Sequence, residues 1–256
     1  MPSSATDPQM QNPTTIALSR LMAQQRAMDV TAGNLANQGT LGYRAERTLF
    51  SDWLSRPSRT DSPPGGKEMA YVQDRATWRE RQEGTMQRTG NQLDFAIAGD
   101  GYFTVETPSG TRLTRAGHFS LSADNRVVNE AGHALLDTQG RPLQLTTRDT
   151  ELSVTPDGQL SSQNGAIGRI AIVRPNEPAK MQSEGATLLR ADDGTQPMDR
   201  ARLLQGTLEG SNVQPVQETT RMMAALREFQ FTTQFVQAEA DRRQQAIDKI
   251  LPPRAG

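Results

Sequence analysis

The chain contains no cysteine. Disulfides, thiolate metal centres and a cysteine nucleophile are therefore excluded, while either side of a membrane remains open as a location. Histidine is nearly as scarce: His118 and His133 are the only two, and they form no histidine-rich metal spacing. No run approaches about 18 uninterrupted apolar residues, so no membrane-spanning helix is expected. The opening MPSSATDPQMQNP has no basic cluster followed by an apolar run, so no cleavable secretory signal is expected. The formal net charge is −1, without the basic excess that marks a nucleic-acid binder. Only 34% of the residues are hydrophobic, against 21 glycines and 15 prolines among 256. That composition implies a modest core with many turns.

Catalytic and ligand motifs are equally thin. There is no Walker loop and no nucleophile elbow. Asp100 in GDGYF lies between two glycines, but an EF-type calcium loop needs several more oxygens at fixed spacing. A tight turn between two strands is the better reading of that segment. No catalytic residue, metal ligand or cofactor site is expected.

What is present is a layout of helix, linker, β region and helix. Residues 1–13 are polar with three prolines and read as a disordered extension. Residues 14–38 read as a helix, with Leu18, Leu21, Met28, Ala32 and Leu35 at three- and four-residue steps and Gln25 in one slot. Asn37 and Gly39 are candidate left-handed terminators of that helix. It carries only three charges, Arg20, Arg26 and Asp29, where average composition gives roughly six, which suggests contact on more than one side. Residues 55–68 contain SRPSRTDSPPGGK and read as a linker. Across 69–210, short alternating runs (LDFAIAG, YFTVET, TRLTRAG, FSLS, RVVN, GRIAIVR, RLLQGTLEG) are separated by turn signals at 108–110, 123–125, 138–140 and 156–158. This pattern predicts an antiparallel, all-β domain.

Residues 213–250 read as a second, long helix. Met222, Leu226, Phe229, Thr233, Val236, Ala240, Arg243, Ile247 and Ile250 step by 4 and 3 throughout, a heptad seam. Ser211 or Asn212 is the candidate N-cap, and Pro252 and Pro253 end the run. The fold class is thus mixed α and β. A central antiparallel β domain (69–210) is flanked by long terminal helices (14–54 with 211–251) that pair in a coiled-coil-like domain. Exposed heptad seams at both ends favour packing against like helices of other molecules.

Two polar segments lie where the first helix stops and the second begins. Asn34-Leu35-Ala36-Asn37 followed by Thr40-Leu41-Gly42-Tyr43-Arg44 resembles the signature of the bacterial flagellar rod and hook family. Gly206-Thr207-Leu208-Glu209-Gly210-Ser211-Asn212-Val213 is similar to its C-terminal motif. TGNQLDFAI at 89–97, GDGYF at 99–103 and LTRAG at 113–117 are similar to its β-domain signature. The ordered set covers about residues 14–250.

The resemblance implies a non-enzymatic building block of the flagellar axis. Within the family, LEGSNV and the single compact β domain are most similar to subunits of the proximal rod. A distal-rod or hook subunit is the alternative within the family, and a β-rich module binding cell-wall glycans the alternative outside it. The resemblance further implies helical assembly through the terminal helices, to transmit torque across the periplasm. Export through the flagellar type III apparatus without a cleaved signal, and partners that are copies of itself and other rod subunits, follow too. No nucleic acid or small-molecule substrate is implied. The expected assembly residues are Leu18, Leu21, Met28, Asn34, Leu35, Asn37, Thr40, Gly42 and Tyr43 on the N-terminal side. On the C-terminal side they are Ser211, Asn212, Val213, Met222, Leu226, Phe229, Val236, Ile247 and Ile250. Asn34 to Arg44 would end the first helix and re-aim the chain, with Gly39 and Gly42 in conformations other residues resist. Tyr43 and Arg44 would then meet a neighbouring subunit or the β domain.

Overall fold

The computed structural model describes residues 13–55, 69–198 and 201–250. The elements run α1 (Pro13–Ala36), β1 (Glu46–Ser55), β2 (Met69–Arg79), β3 (Met86–Arg88), β4 (Phe95–Ala98), β5 (Tyr102–Thr107), β6 (Gly110–Thr114), β7 (Phe119–Leu121), β8 (Val127–Asn129) and β9 (Ala134–Leu135). They continue with β10 (Ser153–Val154), β11 (Gln159–Ser162), β12 (Gly165–Arg169), β13 (Ile172–Pro175), β14 (Gln182–Glu184), β15 (Leu188–Arg190), β16 (Thr195–Pro197), β17 (Arg202–Gln205), β18 (Thr207–Glu209) and α2 (Pro215–Ile250).

The chain divides into two compact units. One holds α1 up to Gly33, strands β1 and β2 between Arg47 and Thr77, and α2 from Val216. The other comprises Asn34–Glu46 and Trp78–Pro215. The paired strands β1 and β2 differ from the reading of 14–54 as helical and 69–210 as one β region. Both carry β-branched and aromatic residues (Thr48, Phe50 and Trp53; Tyr71, Val72 and Trp78) that suit a pleated surface. The proline-rich stretch between them hid their relationship. Of the stretch read as linker, Ser55 ends β1 and residues 56–68 lie outside the described residues. Of the extension read as disordered, Pro13 begins α1 and residues 1–12 lie outside.

In the β unit the largest sheet has the order β14-β15-β6-β5-β9-β8-β7. One edge of β5 pairs with β6, and the other is shared by β13 at Tyr102–Phe103 and β9 at Val105–Glu106. The remaining strands form β10-β11-β12, β17-β4 and β18-β3, all antiparallel. Phe95, Phe103, Phe119, Val105, Leu135 and Ile170 belong to one buried core. Phe119 meets Phe103 edge-on, with ring centroids 5.6 Å apart, a favoured aromatic geometry.

The four turn signals each mark a reversal. Gly110, Asn125, Gly140 and Gly158 all have positive φ. GDGYF is a turn between β4 and β5, though these strands lie in different sheets. RLLQGTLEG is broken at Gly206 into β17 and β18, which pair with β4 and β3 respectively.

The helices are close to their expected spans, at 24 residues for α1 and 36 for α2. Their covered faces are rotated from the expected seams. In α1 Leu18, Gln25 and Ala32 are exposed, and Ala17, Gln24 and Thr31 are buried in their place. Leu21, Met28 and Leu35 remain at least half-buried. In α2 the least exposed residues are Glu218, Met222, Ala225, Phe229, Thr232, Val236, Glu239 and Arg243, a 4-3 alternation, with Thr233 covered beside Thr232. Leu226 and Ala240 are exposed. In both helices half of each seam therefore moves one residue toward the N-terminus. Polar side chains can occupy the shifted positions where they bond locally: Thr31 Oγ1 donates to the Ala27 carbonyl at 2.7 Å, and Thr232 Oγ1 to the Glu228 carbonyl at 2.9 Å. The side chains of Ile247 and Ile250 lie outside the described residues.

Candidate functional site

The two polar segments meet. The Tyr43 carbonyl accepts the Asn212 N–H at 3.3 Å, and the Glu209 carbonyl accepts the Gly42 N–H at 2.8 Å. The Ala45 N–H donates to Asn212 Oδ1 at 2.7 Å, and Asn212 Nδ2 donates to the Gln82 carbonyl at 2.9 Å. Tyr43, Ala45 and Val213 form a small apolar cluster of their own.

Asn34 is fully buried at the end of α1. Its Nδ2 donates to the Glu46 carbonyl at 2.9 Å, and its Oδ1 accepts the Glu46 N–H at 2.8 Å and the Tyr43 hydroxyl at 3.0 Å. The helix stops at Ala36 without a left-handed cap: neither Asn37 nor Gly39 has positive φ. Instead Asn37, Gln38, Thr40 and Tyr43 donate to the carbonyls three residues before them. Such tightened turns satisfy the final carbonyls in place of the expected cap. Thr40 Oγ1 adds a bond to Asn37 Oδ1 at 3.1 Å.

Gly42 is the glycine that the geometry requires. Its φ is +67°, and an added Cβ would lie 2.3 Å from the Arg115 carbonyl carbon. Gly39 has open space around it.

Behind this crossing lies a buried charge cluster. Arg44 donates through Nε and Nη2 to Glu209 Oε1 at 3.3 and 3.2 Å, and Arg115 through Nε to Glu209 Oε2 at 2.7 Å. Arg115 also donates to the Ile97, Gly99 and Gly101 carbonyls. Burial lowers the Arg115 pKa, against the raising effect of Glu209, and the nearby Arg44 lowers it further. Both guanidinium groups stack near the Tyr102 ring, at 6.0 and 5.9 Å.

The start of α2 corrects the expected N-cap. The helix begins at Pro215, whose fixed φ suits the first helical position. Ser211 Oγ accepts the Val213 N–H at 3.2 Å, and Asn212 bonds across to Ala45 and Gln82, so neither caps the helix. In the helical unit Glu218 is fully buried in the first turn, with Arg47 at 2.8 Å and Arg221 at 2.6 Å.

Asn34, Gly42, Tyr43 and Val213 are thus buried within the chain. They hold the crossing and do not face outward. Tyr43 and Arg44 meet the β unit, one of the two destinations expected. Glu209, Arg115 and Glu218 escaped the reading of the sequence as site residues, because nothing local announces a pairing across 94 or 165 positions. His118 Nδ1 lies 2.7 Å from Asp94 Oδ1, which also takes a bond from Asn91. Among the described residues, no group of three or more His, Asp or Glu is placed to hold a metal ion.

Three family models match in chain order: flagella basal body rod protein over residues 15–44, flagellar hook protein FlgE/F/G D1 domain over 96–162, and flagellar basal body rod FlgEFG protein C-terminal over 204–249. The crossing is built where the first match ends and the last begins, so the architecture is that of a flagellar axial protein. Flagellar basal-body rod protein FlgF of Caulobacter vibrioides is 32% identical over 94% of this chain and 98% of its own length. FlgF of Mesorhizobium japonicum matches at 32% with the same coverage. Flagellar basal-body rod protein FlgG of Bacillus subtilis is 30% identical over 88% of this chain and 93% of its own length. The chain belongs to the flagellar basal-body rod protein family.

Proposed function

We propose that this structural rod subunit packs in the proximal part of the rod, joining copies of itself and other rod subunits through α1 and α2. The observation that carries this reading is the apolar surface left on both helices. Leu18 is 56% exposed and Phe231 75%, with Met22, Met223, Leu226 and Phe235 also exposed. Ala17, Arg20 and Gln24 of α1 and Glu228, Phe231, Thr232 and Phe235 of α2 line one groove of about 520 Å³. Gln24 Oε1 is buried there without a hydrogen-bond partner. Exposed apolar groups beside an unmet acceptor are what a docking face needs, since another helix covers the first and a donor on it satisfies the second.

In this reading the helices pair in coiled-coil fashion with those of neighbouring subunits. LEGSNV and the single β unit support the proximal position over the distal rod or hook. Export through the type III apparatus without a cleaved signal takes the subunit to the periplasm. No catalytic role is assigned to either histidine, because the Asp94 contact of His118 serves the β3–β4 turn.

The test is Leu18→Asp together with Phe231→Asp. Both positions are exposed, so thermal unfolding of the purified chain should move by no more than about 0.5 kcal/mol. Rod completion, scored by electron microscopy of basal bodies, should fail. Complete rods built from the double variant would remove these faces from the assembly.

A further inference from the structure

A second surface, wholly within the β unit, carries an unbalanced charge. Arg44, Arg81, Tyr102, Arg174, Asn176 and Gln196 line a cleft of about 310 Å³, at the small end of ligand-sized cavities. Asp100 is the one acidic side chain in its lining. Arg81 and Arg174 are exposed, and neither side chain makes any of the described hydrogen bonds or ion pairs. At the back, Arg44 is 4% exposed. Its Nε and Nη2 both go to Glu209, and Nη1 makes none of the described hydrogen bonds. Glu209 is itself shared with Arg115. Arg115 has Glu83 as a second, more distant carboxylate at 3.9 Å, so among the described residues the cations that face the cleft without a partner are the exposed Arg81 and Arg174.

Guanidinium groups present planar, paired donors that match a carboxylate. A partly buried cation gains more from an anion than an exposed one does, because screening is weaker there. Tyr102 forms an apolar side of the cleft and holds the Arg44 plane near its ring. The chain as a whole is nearly neutral, with 29 acidic against 28 basic residues. With Arg81 and Arg174 gathered at one cleft, the rest of so nearly balanced a chain carries more acidic than basic residues, a source of carboxylates for the same cleft on a neighbour.

We propose that this cleft is a carboxylate receptor, filled in the assembled rod by an acidic side chain of an adjoining subunit. The proposal rests on the rod reading for the source of the carboxylate, and on the cleft alone for its chemistry. Docking would place the incoming carboxylate against Arg44 Nη1, with Arg81 and Arg174 closing over it. It would give Arg81 and Arg174 the counter-ion they lack among the described residues.

The chemistry is tested on the purified full chain by isothermal titration with citrate at constant ionic strength, with phosphate as comparison. Citrate should bind saturably at one site, and Arg81→Gln with Arg174→Gln should weaken it at least about tenfold with no change in the unfolding midpoint. Absence of saturation, equal binding by the double variant, or tighter binding of phosphate would each overturn the carboxylate receptor. The source is tested in a strain lacking this chain. There, Arg81→Glu with Arg174→Glu should cut incorporation into rods at least about tenfold. Normal incorporation by a variant that no longer binds citrate would overturn the neighbouring subunit as source. Failure of the unsubstituted chain to restore rods would instead defeat the rod reading, leaving the titration to stand by itself.

Discussion

The side-chain amide of Asn34 forms a two-way hydrogen-bonded ring with the backbone of Glu46, twelve residues further along the chain. The end of α1 and the start of β1 are tied by a mimic of a strand pair, with the Tyr43 hydroxyl as a third contact.

Asn34→Ala should therefore act far beyond its size. It leaves a part-buried N–H and a part-buried carbonyl of Glu46 without this partner, and an unmet buried group costs about 1–3 kcal/mol. Urea unfolding of the purified chain should show a loss of at least about 2 kcal/mol. A loss under about 0.5 kcal/mol, the range of a neutral surface change, would mean that water replaces the amide at no cost.

Glu209→Ala strands two buried arginines. Removing one partner from a buried ion pair typically costs about 3–5 kcal/mol, because the remaining charge has lost its counter-ion. Here the remaining charges also repel each other. The expected result is a chain whose β unit melts well below the parent, followed by near-ultraviolet circular dichroism. Adding Arg44→Met to the variant should recover part of the loss, since it removes one stranded cation. No recovery would place the cost in packing and not in charge.

Gly39 and Gly42 give a controlled comparison within one motif. Gly42→Ala forces a side chain into left-handed backbone at about 1–2 kcal/mol and drives its Cβ into the Arg115 backbone. A total loss above about 2 kcal/mol is expected. Gly39→Ala meets nothing within 4 Å and has ordinary φ, so it should be neutral or slightly stabilising. Equal effects in thermal unfolding would contradict this geometry.

Asp137 supplies the pH dependence. Burial acts to raise its pKa, but the backbone N–H groups of Arg141 and Gln139, each at 2.8 Å, and the Arg141 guanidinium outweigh it and hold the value below the usual 3.8. A depressed folded value stabilises the protein above the unfolded value and is lost as pH falls through the folded one. Between about pH 5 and about pH 2 the parent should lose more stability than Asp137→Asn, whose amide does not titrate. Parallel stability curves would remove Asp137 from the account.

The reach of the sequence differed by length scale. The turns at Gly110, Asn125, Gly140 and Gly158 were legible because positive φ has a chemical signature at the residue itself. The helices were legible because periodicity is local. The choice between Leu18 and Ala17, or between Leu226 and Ala225, was not, since both lie within one helical step and the outcome depends on what covers the face. Strand β1 and its pairing with β2 were missed, although 69–79 was read within the β region, because the prolines and glycines after Ser55 broke the local pattern that links the two strands. The Arg44–Glu209–Arg115 cluster was beyond reach for a similar reason. Each residue is an ordinary surface type, and only the tertiary path makes it buried.

The bond from Asn212 to the Tyr43 carbonyl has one more consequence. The chain enters the β unit and leaves it at the same place, so that unit hangs as a loop pinched shut at its neck. A pull on the two segments that meet there is resisted by the bonds of Gly42 and Arg44 to Glu209 and of Tyr43 and Ala45 to Asn212, before it reaches the aromatic core around Phe119. Residues beyond the neck can then be added or removed over generations, changing what the subunit shows to its surroundings while leaving the closure between Tyr43 and Asn212 as it was.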